Sequence, residues 1–224
     1  KGAIWYQGES NVGRAEQYKK LFPAMIRDWR EKWGEPLPFY FVQIAPFAYD
    51  NPEQTGQSPA LRNAQWHTYQ EVAHTGIVST LDIGSSETIH PANKQGVGKR
   101  LANWALAEDY GLDRQNIAKS GPLPEKAESI GNNVRLSFKE TGHCLTVLDR
   151  GFHGFEIAGE DGKYVEADIE INNGTDTGGS TIILSAPGLE NPQKVRYGWE
   201  DTFEATLFNS AGLPAPTFEI RVGE

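Results

Sequence analysis

The sequence is short of cysteine, of basic residues and of long apolar runs. Cys144 is the only cysteine among 224 residues, which excludes an internal disulfide and a cysteine-based zinc cluster. The chain has 21 Lys and Arg against 30 Asp and Glu, a net charge of −9, and its basic residues form no run. We therefore expect no nucleic acid and no anionic membrane among its partners. No apolar stretch approaches the roughly 20 residues that a transmembrane helix needs.

Aromatic residues are plentiful, and one of the aromatic runs opens the chain. The six Trp, eight Tyr and ten Phe supply the large side chains of a packed core. Lys1 leads at once into the apolar run Gly2–Gln7, with no initiator Met, charged leader or signal-type segment before it. Because this run resembles a core strand, we expect a further part of the protein upstream of Lys1.

The first half of the chain alternates strand-like and helix-like segments. Short apolar runs predict three buried strands, Gly2–Gln7, Phe39–Ile44 and Ile77–Leu81. Apolar residues at helical spacing predict three helices, from Ala15 to Gly34, from Pro59 to about His74 and from Asn93 to about Glu108. Pro23 predicts a kink or a break into two helices within the first of these. The alternation predicts a parallel sheet, whose active site lies beyond the carboxyl ends of the strands.

The pattern changes near Asp109, and the residues up to Pro124 indicate a connector. Beyond it, short alternating runs separated by turn signals such as Gly131-Asn132 predict an all-β module, a small sandwich. Its most evident strands are Asn133–Phe138, Leu145–Leu148, Phe155–Ile157 and Thr181–Leu184. The predicted fold class is therefore α/β, with a parallel-sheet domain over residues 1–119 followed by a β-rich module over residues 120–224.

A polar cluster follows the first predicted strand. The Gln7 side chain has an amide that can donate a hydrogen bond to a developing oxyanion. Gly8 permits a sharp turn, and Glu9, an acceptor when ionised, is expected to hold neighbouring backbone N–H groups. Ser10 is expected to form local hydrogen bonds. The alternative interpretation of this cluster is an ordinary turn with a polar tip.

A second polar cluster, from Asp82 to Pro91, follows the third predicted strand. Its His90 comes shortly after the strand end, with the carboxylate of Glu87 three residues before it. Serine hydrolases use such a pair: the carboxylate accepts from one imidazole nitrogen, and the other nitrogen takes the serine proton. The alternative is that His90 is a surface or capping residue beside a helix start.

Together, the two clusters resemble motifs of the sialate O-acetylesterase family, a branch of the SGNH hydrolases. The family's Trp-x-Gln-Gly-Glu-Ser and Asp-x-x-His-Pro motifs correspond to Trp5–Ser10 and Glu87–Pro91. The resemblance extends over nearly the whole chain, through Asp28–Arg30, Val42–Pro46, Ala60–Arg62, Asn93–Gln95, Val195–Trp199 and Gly212–Ala215.

The resemblance implies a fold and a set of roles. The chain would be the C-terminal part of an SGNH-type, flavodoxin-like domain followed by the β module. His90 would be the general base, and Glu87 would orient it although the family has Asp there. Because Glu is one methylene longer than Asp, Asp82 is the alternate orienting acid. A backbone carbonyl alone is a third possibility.

The nucleophilic serine of the family lies in a Gly-Gln-Ser-Asn type turn upstream of the Gln-Gly-Glu motif. We therefore expect it before Lys1, and we expect this chain alone to be inactive. Gly56-Gln57-Ser58 has similar letters, but the following Pro59-Ala60-Leu61-Arg62 resembles the family's helix entry. Ser58 and Ser10 are therefore not assigned as the nucleophile.

The implied activity is that of a carboxylic ester hydrolase. A secreted or periplasmic serine carbohydrate O-acetylesterase would remove O-acetyl groups from sialic acids through an acyl-serine intermediate. An acetylxylan-type esterase and a non-catalytic carbohydrate-binding or interaction module are the alternatives.

The expected partners are an O-acetylated sugar and either the upstream segment with the serine or a second copy of the chain on an open sheet edge. No cofactor is implied. No metal is expected either: His67 and Glu71 lie one helical turn apart, but no His-Glu-x-x-His pattern occurs.

Overall fold

The computed structural model describes residues 1–112, 117–147, 151–174 and 180–223. The chain divides into two compact units, Lys1–Ser120 with Glu200–Glu204, and Gly121–Trp199 with Ala205–Glu224. Within the described ranges, no helix combines the length and the apolar character that crossing a bilayer requires.

The first unit is built on a three-stranded parallel sheet. Its strands are β1 (Ala3–Trp5), β2 (Phe39–Val42) and β3 (Thr75–Val78). They lie in the order β1-β2-β3, with Trp5 opposite Phe41 and Phe41 opposite Ile77. Both faces of β2 are buried, as its uninterrupted apolar sequence predicts. The predicted parallel sheet with intervening helices is confirmed.

Three helices connect and flank these strands: α1 (Ala15–Trp33), α2 (Ser58–Glu71) and α3 (Lys94–Glu108). The predicted break at Pro23 was wrong, because α1 is continuous. Phe22 explains why: it is buried beside Pro23, and its ring lies 4.9 Å from Phe41 and 6.0 Å from Phe39. This packing offsets the backbone hydrogen bond that proline removes. Gly34, with φ 75°, ends the helix as predicted.

The segment Glu200–Glu204 joins the first unit at the start of α2. The Asp201 carboxylate accepts from the backbone N–H groups of Gly56 (2.5 Å) and Ser58 (3.0 Å), and from the Ser58 hydroxyl (2.6 Å). Arg62, fully buried, donates to the Ser58 hydroxyl and to the Glu200 carbonyl. Burial lowers the pKa of Arg62 to about 10, and the nearby Asp201 charge opposes that shift. A residue distant in sequence thus caps this helix.

The second unit consists of antiparallel sheets. One contains β4 (Leu123–Ile130), β5 (Asn133–Lys139), β9 (Asp168–Asn172) and β10 (Thr181–Ser185). Another contains β7 (Phe155–Ala158), β8 (Tyr164–Glu166), β11 (Lys194–Tyr197) and β13 (Phe218–Arg221). A short pair is formed by β6 (Leu145–Thr146) and β12 (Phe208–Asn209). The strand orders are β4-β5-β10-β9, β13-β11-β7-β8 and β12-β6.

The predicted β-rich character of this unit is confirmed, and its details differ in three places. The connector was predicted to reach Pro124, but β4 begins at Leu123, which is fully buried. The strands β8 and β9 were missed because glutamates and aspartate interrupt their apolar pattern. The strand predicted over Leu145–Leu148 ends earlier, at Thr146, since Val147 is not part of it; Leu148 lies outside the described residues. The rings of Phe138 and Phe218, one from each large sheet, lie 6.3 Å apart.

A glycine on β3 sets the spacing between the sheet and α3. The rings of Tyr40 on β2 and Trp104 on α3 stack at 6.0 Å, and the Trp104 indole donates to the Ile77 carbonyl. A Cβ atom at Gly76 would lie 2.5 Å from Trp104 and 2.7 Å from Tyr40. The packing therefore requires glycine at this position.

We expect Gly76→Ala to lower the free energy of unfolding by about 1–3 kcal/mol, because the added methyl group overpacks the core. The matched control is Gly98→Ala on the exposed side of α3, where an added Cβ meets nothing within 4 Å. The control is expected to raise stability by about 0.5–1 kcal/mol through helix propensity. Urea denaturation of the two variants measures both effects, and equal stabilities would contradict the described packing.

Candidate active site

The carboxyl ends of the three parallel strands are joined by one buried side-chain amide and one buried hydroxyl. Gln65, fully buried on α2, donates from Nε2 to the carbonyls of Gln7 (3.1 Å) and Val42 (3.2 Å). Its Oε1 accepts from the Ile44 N–H at 2.9 Å. Thr80, after β3, donates to the carbonyl of Gln43, after β2, at 2.9 Å. These bonds fix the three strand ends relative to one another.

The turn after β1 is sharp and closely packed. Gly8 has φ 153°, and a Cβ atom there would lie 2.8 Å from Ile44 and 3.1 Å from Leu61. Only glycine fits this approach. A single 3₁₀ turn, Glu9–Asn11, follows.

The amide of Gln7 is held on both sides. Its Nε2 donates to Asn11 Oδ1 at 2.7 Å, and the Tyr18 hydroxyl lies 3.3 Å from its Oε1. The second N–H of this amide has no partner among the residues that the structure describes. Gln7 therefore keeps one oriented donor for a ligand.

Glu9 lies among tyrosines. No described residue donates a hydrogen bond to its carboxylate, so the expected contact with neighbouring backbone N–H groups is not seen. Burial raises the pKa of Tyr6 to about 12, and the Glu9 charge adds to the shift. Burial also raises the pKa values of Tyr18 and Tyr49, again with a contribution from Glu9. The negative charge of Glu9 thus contributes to the raised pKa values of all three tyrosines.

Asp82, the alternate orienting acid, is engaged by Arg100. The Arg100 guanidinium donates to both carboxylate oxygens, at 2.7 and 2.6 Å, and also to the Ser79 carbonyl at 2.8 Å. Both side chains are largely buried, with 12% and 15% exposure. The pair ties α3 to the end of β3, and this role uses both oxygens of Asp82.

His90 and Glu87 lie on one exposed loop between β3 and α3. The backbone N–H of His90 donates to the Thr88 hydroxyl, and that of Glu87 donates to the Ser85 hydroxyl. Asn93 caps α3 by accepting from the Gly96 N–H at 2.9 Å. Between the described side chains of Glu87 and His90 there is no hydrogen bond or ion pair. Glu87 and His90 thus share a loop, but their side chains are not hydrogen-bonded to each other.

Two residues that the sequence analysis did not assign to the site, Ser58 and His67, have contacts of their own. Ser58 is fully buried, and its hydroxyl donates to Asp201, so it is unavailable to a substrate. His67 Nδ1 lies 3.3 Å from Glu71 Oε2. In the described part of the chain, no group of three or more His, Cys, Asp or Glu residues is arranged to hold a metal ion.

Several residues at the strand ends were not predicted from the sequence, namely Gln43, Gln65, Thr80, Tyr6 and Tyr49. Gln65 carried a signal, because it lies on the apolar side of the predicted second helix. Tyr49 carried none, since it lies in a polar loop where neither periodicity nor a motif marks it.

Comparison with known proteins gives consistent matches. The family model for carbohydrate esterases described as sialic acid-specific acetylesterase matches residues 1–107. The sialate O-acetylesterase of Mus musculus is 33% identical over 247 residues, covering 97% of this chain and 44% of the relative. That of Rattus norvegicus is 30% identical over 252 residues, covering 99% and 44%.

A solved structure also matches, that of a carbohydrate acetylesterase from Xanthomonas citri. It is 36% identical with a TM-score of 0.83, and the match covers 98% of this chain and 50% of that one. The chain thus spans about half the length of the proteins it matches. On the family model over its first 107 residues and the relatives aligned along nearly all of it, the chain belongs to the sialate O-acetylesterase family.

Proposed function

We propose that this chain is part of a serine carbohydrate O-acetylesterase that removes O-acetyl groups from sialic acids. One observation carries the proposal: a free amide donor and a histidine loop follow the carboxyl ends of β1 and β3, the two strands on either side of β2. Lys94, four residues after His90, has its Nζ 5.7 Å from the ring centroid of Tyr6, which precedes Gln7. A proposed base and a proposed oxyanion donor therefore lie at the same end of the parallel sheet, the end at which active sites of such sheets are found.

In the proposed reaction, His90 takes the proton of a serine hydroxyl as the serine oxygen attacks the acetyl carbonyl. Charge develops on the carbonyl oxygen, where the free N–H of Gln7 donates. The sugar oxygen leaves with the proton from His90, and water then releases acetate from the acyl-serine. The exposure of His90 leaves it accessible to a serine and a substrate.

The proposed serine belongs to a further part of an SGNH-type, flavodoxin-like domain. β1 pairs only with β2 among the described strands, and Ile4 on β1 is 71% exposed. An unpaired strand edge with an exposed apolar side chain favours the addition of another strand. This supports a partner segment against β1, which would bring the serine, and a second copy of this chain is the alternative occupant.

Glu87 is the proposed orienting acid for His90. Its carboxylate makes no ion pair with a described residue, whereas both oxygens of Asp82 accept from Arg100. Reassigning Asp82 to His90 would leave the largely buried Arg100 without its partner, which is costly.

In the full-length protein, we expect His90→Ala to lower kcat for 4-nitrophenyl acetate by about 10²–10⁴-fold, because general base catalysis is lost. Circular dichroism and the unfolding midpoint check that the variant is folded. Full activity of this variant would contradict the assignment. The separate 224-residue chain is expected to release no acetate.

We expect Glu87→Ala to lower kcat by at least about tenfold and Glu87→Asp to restore most of it, because only an acid in reach of the imidazole fixes its tautomer. The matched variant Asp82→Asn is expected to lower the unfolding midpoint, while its kcat falls less than that of Glu87→Ala. Unchanged kcat in Glu87→Ala, with a normal unfolding midpoint, would instead assign the orienting role to a backbone carbonyl.

A further inference from the structure

The segment Ile44–Ala48 follows the central strand β2, and its backbone is held by other parts of the first unit. The Phe47 N–H donates to the Asp201 carbonyl at 3.0 Å. The Ala48 N–H donates to the carbonyl of Ser86, in the loop after β3, also at 3.0 Å. Because backbone groups that are bonded in this way are costly to release, the segment has a fixed path.

Two glycines pack closely on this segment, one from the turn after β1 and one from the loop after β3. A Cβ atom at Gly8, in the turn, would lie 2.8 Å from Ile44. A Cβ atom at Gly84, in the loop, would lie 2.5 Å from Pro46 Cδ and 3.1 Å from Ala45 Cβ. At both places the backbone approaches more closely than a side chain allows. The segment therefore determines how near the turn and the loop come to the end of β2.

The loop after β3 is anchored as far as Ser86, four residues before His90. The Gly84 N–H donates to the Thr80 carbonyl at 2.9 Å, and the Thr80 hydroxyl donates to the carbonyl of Gln43, at the end of β2, at 2.9 Å. The bond between the Ser86 carbonyl and the segment after β2 continues this series of contacts. The loop therefore leaves its anchors at a fixed place, and this place sets where His90 can lie.

We infer that Gly84 is a positioning residue for His90. Its lack of a side chain lets the loop after β3 lie directly against the segment after β2, which sets the distance of the base from the sheet. On the other side of the same segment, Gly8 gives the turn that carries Gln7 an equally close support. The segment Ile44–Ala48 is thus the common support of the oxyanion donor and the base. The inference rests on the proposed function, in which His90 is the base.

In the full-length protein, we expect Gly84→Ala to lower kcat for 4-nitrophenyl acetate by about 10–100-fold. The added methyl group displaces the loop by a distance on the order of 1 Å, and a catalytic group misplaced by that distance loses much of its effect. KM is expected to change less than about twofold, because the geometry of the reacting groups is altered and not the binding of the ester. Steady-state kinetics below the unfolding midpoint of the variant measure both constants.

The matched control is Gly76→Ala, which adds the same methyl group against Trp104 within β3. It is expected to lower stability but to keep kcat within about twofold of the unaltered protein, since the loop after β3 keeps its anchors. A loss of kcat in Gly76→Ala as large as that in Gly84→Ala would show a general effect of overpacking and overturn the inference. Unchanged kcat in Gly84→Ala would also overturn it.

A second substitution tests the contact itself. Pro46→Ala removes the Cδ atom that the added methyl group would meet. Combined with Gly84→Ala, it is expected to raise kcat at least about threefold above that of Gly84→Ala alone, as for residues in direct contact. Pro46→Ala alone loosens the contact and is expected to lower kcat about two- to fivefold, so it serves as the test if Gly84→Ala does not fold. No recovery in the double variant, or unchanged kcat in Pro46→Ala alone, would contradict the inference.

A double-mutant cycle with His90→Ala separates this inference from the proposed function. If Gly84 acts through His90, Gly84→Ala is expected to lower the residual kcat of His90→Ala by less than about twofold, because residues that act as a unit are not additive. An equal loss with and without the imidazole, in a protein that His90→Ala inactivates, would overturn the positioning role alone. Full activity of His90→Ala would overturn the proposed base, and the positioning role with it.

Discussion

The side-chain amide of Gln65 is the interaction on which the candidate site depends. It lies fully buried on α2 and bonds to main-chain groups of Gln7, Val42 and Ile44, at the ends of two strands. A buried amide with all of these bonds made is rigid, because breaking one leaves a polar group unsatisfied in the interior. Gly8 then turns the chain where no side chain fits, and Gln7 is left with one donor directed by Tyr18 and Asn11.

Charge pairing assigns different roles to the acids around this edge. Asp201 caps α2, Asp82 binds Arg100 and anchors α3, while Glu9 and Glu87 accept no hydrogen bond at their carboxylates from described residues. An acid that already binds a buried cation is a poor candidate for a catalytic role. If it moved away, the cation would stay buried without a counter-charge, which is strongly destabilising. Glu87, which has no such partner, is therefore the acid that we propose for His90.

Much of the architecture was predictable from hydrophobic periodicity. The three apolar runs predicted the parallel sheet, and the complete burial of β2 explains why its sequence is uninterruptedly apolar. Gly34 marked the end of α1. Pro23 misled, since local propensity takes no account of Phe22 packing on the sheet. The strands β8 and β9 were missed because they are half exposed and rich in acids. At the site, motifs marked Gln7 and His90, but the distant partners Asp201 and Tyr49 depend on tertiary contacts that no local pattern encodes.

The central claim is that His90, in the loop at the carboxyl end of the sheet, acts as the base for a serine supplied by another part of the protein. The most direct measurement is a crystal structure of the full-length protein, in which the distance from His90 Nε2 to the nearest serine Oγ is read. The account predicts that this serine lies outside residues 1–224 and that its Oγ is about 2.6–3.2 Å from His90 Nε2 when an acyl analogue is bound. A nearest serine hydroxyl beyond about 6 Å in that complex, outside direct hydrogen-bond reach, would contradict it.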